Sequence, residues 1–341
     1  MKTRIEYIDQ LKGVAILLVV VGHFIQINTA DNTGDALFSA IYSFHMPLFM
    51  FISGYVAEKN TSTKIFSNYS KFLQKKATTL LLPFFAWPLI VDQLFFAKPE
   101  NLKFISIIHG LLVNPTQGLW FLWYLFFLSV LYSIFLLISS RIKETPSLGV
   151  DIPVAILLFS FILGIHLLGV VDYTDAFMQY FGFYFIGVFT ARYRWLNQLV
   201  MTPWIFYILL IIFILSCGQF SFNDPAFHHL NIWLAVKVMI SITGIFSLYY
   251  ITRKISWNPV VNKNICFWGA NSLVIYVTHG KMIHILPTEY FLPGLGTFPM
   301  ILISLLFSIP VIIGCLLMLN IIKLCPPLNL LLYGQTTNSK S

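Results

Sequence analysis

Long apolar runs recur along the chain, each closed by a short polar segment. A helix that crosses the hydrocarbon of a bilayer needs ~20 mostly apolar residues. Ten runs qualify at that length, at approximately 11–29, 36–57, 79–97, 118–140, 151–171, 175–191, 203–220, 230–251, 266–285 and 299–323. A further run, Phe104 to Val113, is too short to span and predicts an interfacial or re-entrant segment. The longest polar stretch, roughly Glu58 to Thr78, leaves no soluble domain of useful size. The pattern predicts an all-α integral membrane protein with about ten transmembrane helices in a single domain over 1–335, followed by a disordered polar tail over 336–341.

Composition supports that expectation. The chain is 58% hydrophobic and 10% charged, where soluble domains carry roughly 25% charged residues. The net charge of +8 does not form one basic patch, so nucleic acid is not expected as a partner. Membrane orientation accounts for it better, because cytoplasmic segments collect Lys and Arg. With a cytoplasmic N-terminus, 17 of the 21 basic residues fall on the inner side and only Lys98 and Lys103 outside. Lys237 and Lys281 lie within or at the ends of helices. One missed helix would scramble every later loop, so the split predicts both termini in the cytoplasm and a multi-pass protein of the cell membrane. The lysines from Lys59 to Lys76 mainly set orientation and also offer contacts to anionic membrane lipids.

Two other classes are set aside. Cys217, Cys266, Cys315 and Cys325 form no CxxC pair and have no His at zinc-finger spacing, so they predict free thiols and no metal site. The first apolar run is not read as a cleaved signal, because His23 interrupts it and no small-x-small cleavage site follows.

Ionisable side chains inside a bilayer are costly, which makes each a functional candidate. The first run carries Lys12 and His23, eleven residues apart. At 100° per residue they fall within ~20° of one face and ~16 Å apart along the axis. The second run carries Ser43-Phe-His45-Met-Pro47, and Pro47 withholds one helical hydrogen bond, freeing a carbonyl near Ser43. Freed backbone in a membrane must face protein or a wet cavity. The ninth run carries Asn271-Ser272 and then Tyr276-Val-Thr-His279. Counting from the ends of their runs, His23, His45 and His279 come to similar depth on three separate helices, as a shared intramembrane site requires. Each also has a plainer reading as a hydrogen-bonding residue between helices, and Trp120 and Trp123 have one as interfacial anchors.

These residues resemble the acyltransferase 3 family of membrane proteins, especially its branch similar to fucose 4-O-acetylases. The family's first helix carries a basic residue, ten intervening residues and a His, matched here by Lys12 and His23. Its second helix is similar to Phe44-His-Met-Pro-Leu-Phe-Met-Phe-Ile-Ser-Gly-Tyr55. Leu119-Trp-Phe-Leu-Trp123 and Asn271-Ser-Leu-Val-Ile-Tyr-Val-Thr-His279 are further points of likeness. The chain departs from the family in having Lys12 where Arg is common and Thr79 where a second basic residue is expected before Leu-Leu-Pro.

The resemblance implies an O-acetyltransferase that moves acetyl from cytoplasmic acetyl-CoA to a sugar hydroxyl of a cell-envelope or exported glycan, the acceptor being glycan or lipid-linked sugar. The residues supply the chemistry. An alcohol needs a base to become a good nucleophile, and His is the usual choice near neutral pH. His23 is the candidate base, with His45 orienting the acceptor or stabilising an oxyanion; a covalent acyl-His relay is the other route. Lys12, Lys75, Lys76, Arg192 and Arg194 are candidates for the CoA phosphates, with Lys12 below His23 on the same face. Trp120, Trp123, Tyr276 and His279 are the candidate acceptor contacts. The alternative is a transporter or flippase with a histidine proton relay, against which stand the lack of an internal repeat and the expectation of no buried carboxylate inside the spans, Asp92 and Glu289 lying near boundaries.

Overall fold

The computed structural model describes residues 5–28, 36–60, 69–96, 104–169, 174–217, 231–285 and 297–335. Lys98, Lys103 and the polar tail lie outside the described residues. The described elements are helices throughout. In chain order they are α1 (Glu6–Asn28), α2 (Ala36–Asn60), α3 (Tyr69–Phe95), α4 (Phe104–Val113), α5 (Trp120–Ile142), α6 (Leu148–Leu167) and α7 (Thr174–Arg192). There follow α8 (Arg194–Val200), α9 (Pro203–Cys217), α10 (Asn231–Lys254), α11 (Pro259–Ala270), α12 (Ser272–Ile285), α13 (Thr297–Ile322) and α14 (Pro326–Tyr333).

Seven helices are long and apolar enough to cross a membrane, or eight if α8 and α9, which meet at a 62° bend, form one span. In their described residues the ten runs read from the sequence fall on helices, but two make no continuous apolar span of that quality, and the run at 203–220, on α9, makes one only together with α8. The run at 266–285 is broken at Asn271, where α11 ends and α12 begins. The run at 175–191 corresponds to α7, which is helical but less apolar. Helix α3 starts ten residues earlier than its apolar run, because Lys71, Lys75 and Lys76 hide a helical turn from a hydropathy window. It is wound as π-helix over Ala77–Leu81 and from Trp87 to its end.

Outward faces of several helices are apolar. On α13, Leu302, Leu306, Ile309, Ile313, Leu317 and Ile321 are exposed at three- to four-residue spacing, while Val311, Ile312, Cys315 and Leu319 are buried. A stripe of that length is far larger than water-soluble surfaces tolerate and suits lipid.

The described residues group into two compact units, one of 1–52 with 194–319, the other of 53–193 with 320–341. In the first unit, α1 is the central helix: Leu11, Ala15, Ile16, Val19, Val20, Phe24 and Ile25 are fully buried, so both of its sides are covered. Its close approach to α11 depends on two glycines. A Cβ at Gly13 would stand 2.1 Å from the Ile265 carbonyl oxygen, and one at Gly269 would stand 1.9 Å from that of Asp9. In the second unit α6 packs on α5 and α7, and the short α14 packs on the middle of α3, where the Trp87 indole donates to the Leu332 carbonyl at 2.8 Å.

The gap left by Pro47 is filled within the first unit. The carbonyl that the missing N–H would have met is that of Ser43. The Ser241 hydroxyl of α10 lies 2.5 Å from that oxygen and shares its proton with the Lys237 carbonyl at 2.9 Å. Removing one partner of a buried polar group costs about 1–3 kcal/mol. Ser241→Ala is therefore expected to lower stability by about that much, read as a lower melting temperature of the purified protein in detergent. Val fills more space without restoring the donor and should do no better, whereas Thr restores it.

Candidate functional site

Three helices of the first unit bring the histidines together. His23 of α1 and His279 of α12 have ring centroids 5.1 Å apart. Tyr42 of α2 lies between His23 and His45, its ring 6.0 Å from the first and 4.7 Å from the second. His45 and His279 are buried, at 4% and 6% exposure, and His23 is half-buried. Next to the half-buried His23, Gln26 is exposed. Beside it Val21, Ile25, Phe38, Ile41 and Met300 form an apolar wall against which Tyr42 packs.

Each histidine is engaged through Nδ1. The His45 Nδ1 donates to the Ile41 carbonyl at 2.9 Å, one turn back on its own helix. The His279 Nδ1 lies 2.7 Å from the Tyr276 carbonyl and 3.1 Å from that of Ile275. A carbonyl only accepts, so both rings carry their proton on Nδ1 and, when neutral, present a lone pair at Nε2. The His23 Nδ1 lies 3.0 Å from the Gln26 Oε1 and 3.3 Å from the Tyr42 hydroxyl, which itself lies 2.6 Å from Gln26 Oε1. A ring with Nδ1 occupied in this way meets a substrate with Nε2.

Among the described residues no group of His, Cys, Asp and Glu is arranged to hold a metal ion.

The other residues singled out in the sequence are distributed as follows. Lys12 lies half-buried on α1, eleven residues before His23. Tyr276 is half-buried, with its ring 6.1 Å from that of His279. Arg194 is exposed at the start of α8. Lys75, Lys76, Trp120, Trp123 and Arg192 belong to the second unit. Lys75 is exposed and Lys76 lies over the Phe72 ring at 5.9 Å. Trp120 is half-buried and stacks on Tyr180 at 5.2 Å. Trp123 is buried among Phe84, Phe85 and Phe127, with its indole nitrogen unpaired among the described residues.

Arg192 has carboxylate partners that its sequence context did not announce. Its Nε donates to Asp151 at 2.7 Å, and its Nη1 donates to Glu58 at 3.2 Å. Tyr193 donates to Asp151 at 2.5 Å and Tyr132 to Glu58 at 2.7 Å. Burial and the Asp151 carboxylate push the Tyr193 phenol up from its ordinary value, so it stays a donor. A guanidinium shared between two carboxylates is held in an ion-pair network and has little left for a phosphate.

Two residues of the cluster escaped the sequence reading, Gln26 and Tyr42. Both follow a simple spacing: Gln26 is three residues after His23 and Tyr42 three before His45, the helical neighbour distance.

Comparison with known proteins bears on this geometry. Residues 5–320 match a family model described as an acyltransferase domain. Nodulation protein NolL of Sinorhizobium fredii is 35% identical over 144 residues, covering 39% of this chain and 38% of that protein. This match therefore spans little more than a third of that relative's length. Nodulation protein NolL of Mesorhizobium japonicum is 25% identical over 302 residues, covering 82% of this chain and 76% of that protein. No solved structure matches.

Proposed function

Because this chain belongs to the acyltransferase 3 family, we propose that it is a multi-pass membrane O-acetyltransferase that moves acetyl from cytoplasmic acetyl-CoA to a sugar hydroxyl of a cell-envelope or exported glycan. The observation that carries the reading is the meeting of His23, Tyr42, His45 and His279 on three apolar helices. In this reading both termini are cytoplasmic, as the Lys and Arg distribution favours. Lys12 then lies at the cytoplasmic end of α1 and receives a CoA phosphate. The pantetheine arm extends its thioester ~16 Å up the same face to His23. Arg194, in the same unit, is a further phosphate candidate, and Arg192 is reassigned to its carboxylates.

The step is a base-assisted acyl transfer. The sugar hydroxyl oxygen attacks the thioester carbonyl while the His23 Nε2 takes its proton. The carbon–sulfur bond then breaks, and the imidazolium returns the proton to the departing thiolate. The products are the sugar acetate and free CoA. His45 and His279, with their protons on Nδ1, present acceptors at Nε2, which suits them to orient sugar hydroxyls. In that state they do not stabilise an oxyanion, so of the two roles considered for His45 the first is kept. Tyr276 remains an acceptor-contact candidate, while buried Trp123 fits packing better.

The test uses membrane vesicles from cells with and without the protein, supplied with acetyl-labelled acetyl-CoA. Alkali-labile label in the endogenous glycan, dependent on the protein, is expected. Lys12→Glu should weaken donor binding at least tenfold by reversing the charge that meets the phosphate. A transporter would leave the label in the donor, and unchanged donor binding by Lys12→Glu would remove Lys12 from the phosphate site.

A further inference from the structure

Resting on the assignment of His23 as the base, we propose that Gln26 is a positioning residue: its side-chain carbonyl, held by the Tyr42 hydroxyl, keeps the His23 proton on Nδ1 and so leaves Nε2 free to take the proton of the acceptor. Neither residue was a candidate from the sequence, and neither needs to touch substrate.

The orientation of the Gln26 amide follows from a distance. Its outer atom is 2.6 Å from the Tyr42 oxygen. That is short for N–H···O and ordinary for O–H···O. The atom is therefore the carbonyl oxygen, and the tyrosine is the donor. The same oxygen lies 3.0 Å from the His23 Nδ1. Two acceptors cannot bond, so that nitrogen carries hydrogen. The Tyr42 oxygen, having given its own proton to Gln26, also accepts at 3.3 Å. With the amide reversed, Nδ1 would become the acceptor, Nε2 would hold the proton and His23 could not act as the base.

The chemical choice of an amide is informative. A carboxylate would orient the ring equally well, as acidic groups do for catalytic histidines elsewhere. It would also put a negative charge beside the rings of the cluster. It would bind the imidazolium more tightly and slow return of the proton to the thiolate. The amide gives orientation without that charge. The other titratable groups facing His23 are Tyr42 and His45 from α2 and His279 from α12. None is a carboxylate, so a charge introduced at position 26 would have no nearby acidic competitor among these groups.

Two variants and two readouts test the role. Gln26→Leu removes the acceptor, and Gln26→Glu makes it anionic. Gln26 is exposed, so neither variant disturbs the packed interior. In vesicles, Gln26→Leu is expected to lower the saturated rate of alkali-labile label formation about tenfold, with the KM for acetyl-CoA unchanged. In purified protein, diethyl pyrocarbonate modifies only the unprotonated ring, and mass spectrometry reads the pH midpoint at His23. Gln26→Glu should raise that midpoint by about one unit or more, because a nearby negative charge favours imidazolium. A rate lost in Gln26→Leu without a midpoint shift in Gln26→Glu would make Gln26 merely structural and overturn the proposal. Wild-type behaviour of both variants, with His23→Ala inactive, overturns the positioning role alone. Full transfer by His23→Ala would overturn the base assignment and the positioning role with it.

Discussion

At matched membrane levels, His23→Ala is expected to cut acetyl-ester formation on the envelope glycan about 10²–10⁴-fold, the range a positioned general base contributes. At about 1.36 kcal/mol per tenfold this is about 2.7–5.4 kcal/mol on the barrier. The measurement is alkali-released acetate from cells carrying wild type, His23→Ala or no copy. The variant should fall to the level of cells without the protein.

The side chain is well placed for a test with little structural side effect. His23 is half-buried, and its ring faces Tyr42 and His279 outside the fully buried core of α1. Alanine is a good helix former, so α1 keeps its backbone. Ester formation at near wild-type rate would keep the enzyme and remove His23 as its base. The same truncation at His45 or His279 is less clean, since each leaves a void in a buried position.

The sequence made the histidine cluster legible because depth follows directly from residue counting along a helix. Three histidines at matching depth on separate apolar runs were a geometric expectation, and the structure places the His23 ring beside that of His279, with Tyr42 linking it to His45. The backbone gap at Pro47 was legible for a similar reason, since proline removes a known hydrogen bond. The group that fills it was not, because Ser241 lies 198 residues away and one serine among many carries no mark. Gln26 and Tyr42 are uncharged, so a search for ionisable groups passes over them. The break at Asn271 was hidden because hydropathy reports hydrocarbon and is blind to whether the helix is continuous. The carboxylate partners of Arg192, Asp151 and Glu58, were hidden because they are 41 and 134 residues away. A basic residue at a helix end looks available for a phosphate until the fold supplies its carboxylates.

Arg192→Ala is expected to destabilise the protein by about 3–5 kcal/mol, the range for removing one member of a buried ion pair. Side-chain exposure is 9% for Arg192, 1% for Asp151 and 15% for Glu58, so neither carboxylate has much water to replace the guanidinium. Truncation leaves both charges facing one another across the space it occupied. Arg192→Lys keeps the charge but loses the fork that meets both partners, so it should fall between alanine and wild type. The measurement is the melting temperature in detergent together with the amount of folded protein recovered from membranes. A combined Arg192→Met, Asp151→Leu, Glu58→Gln variant should recover part of the loss, because no buried charge is then left unpaired. That recovery separates the ion-pair role from donor binding. If Arg192→Ala instead melts like wild type and raises the KM for acetyl-CoA, the guanidinium serves the donor phosphates and the two carboxylates tune it for that task.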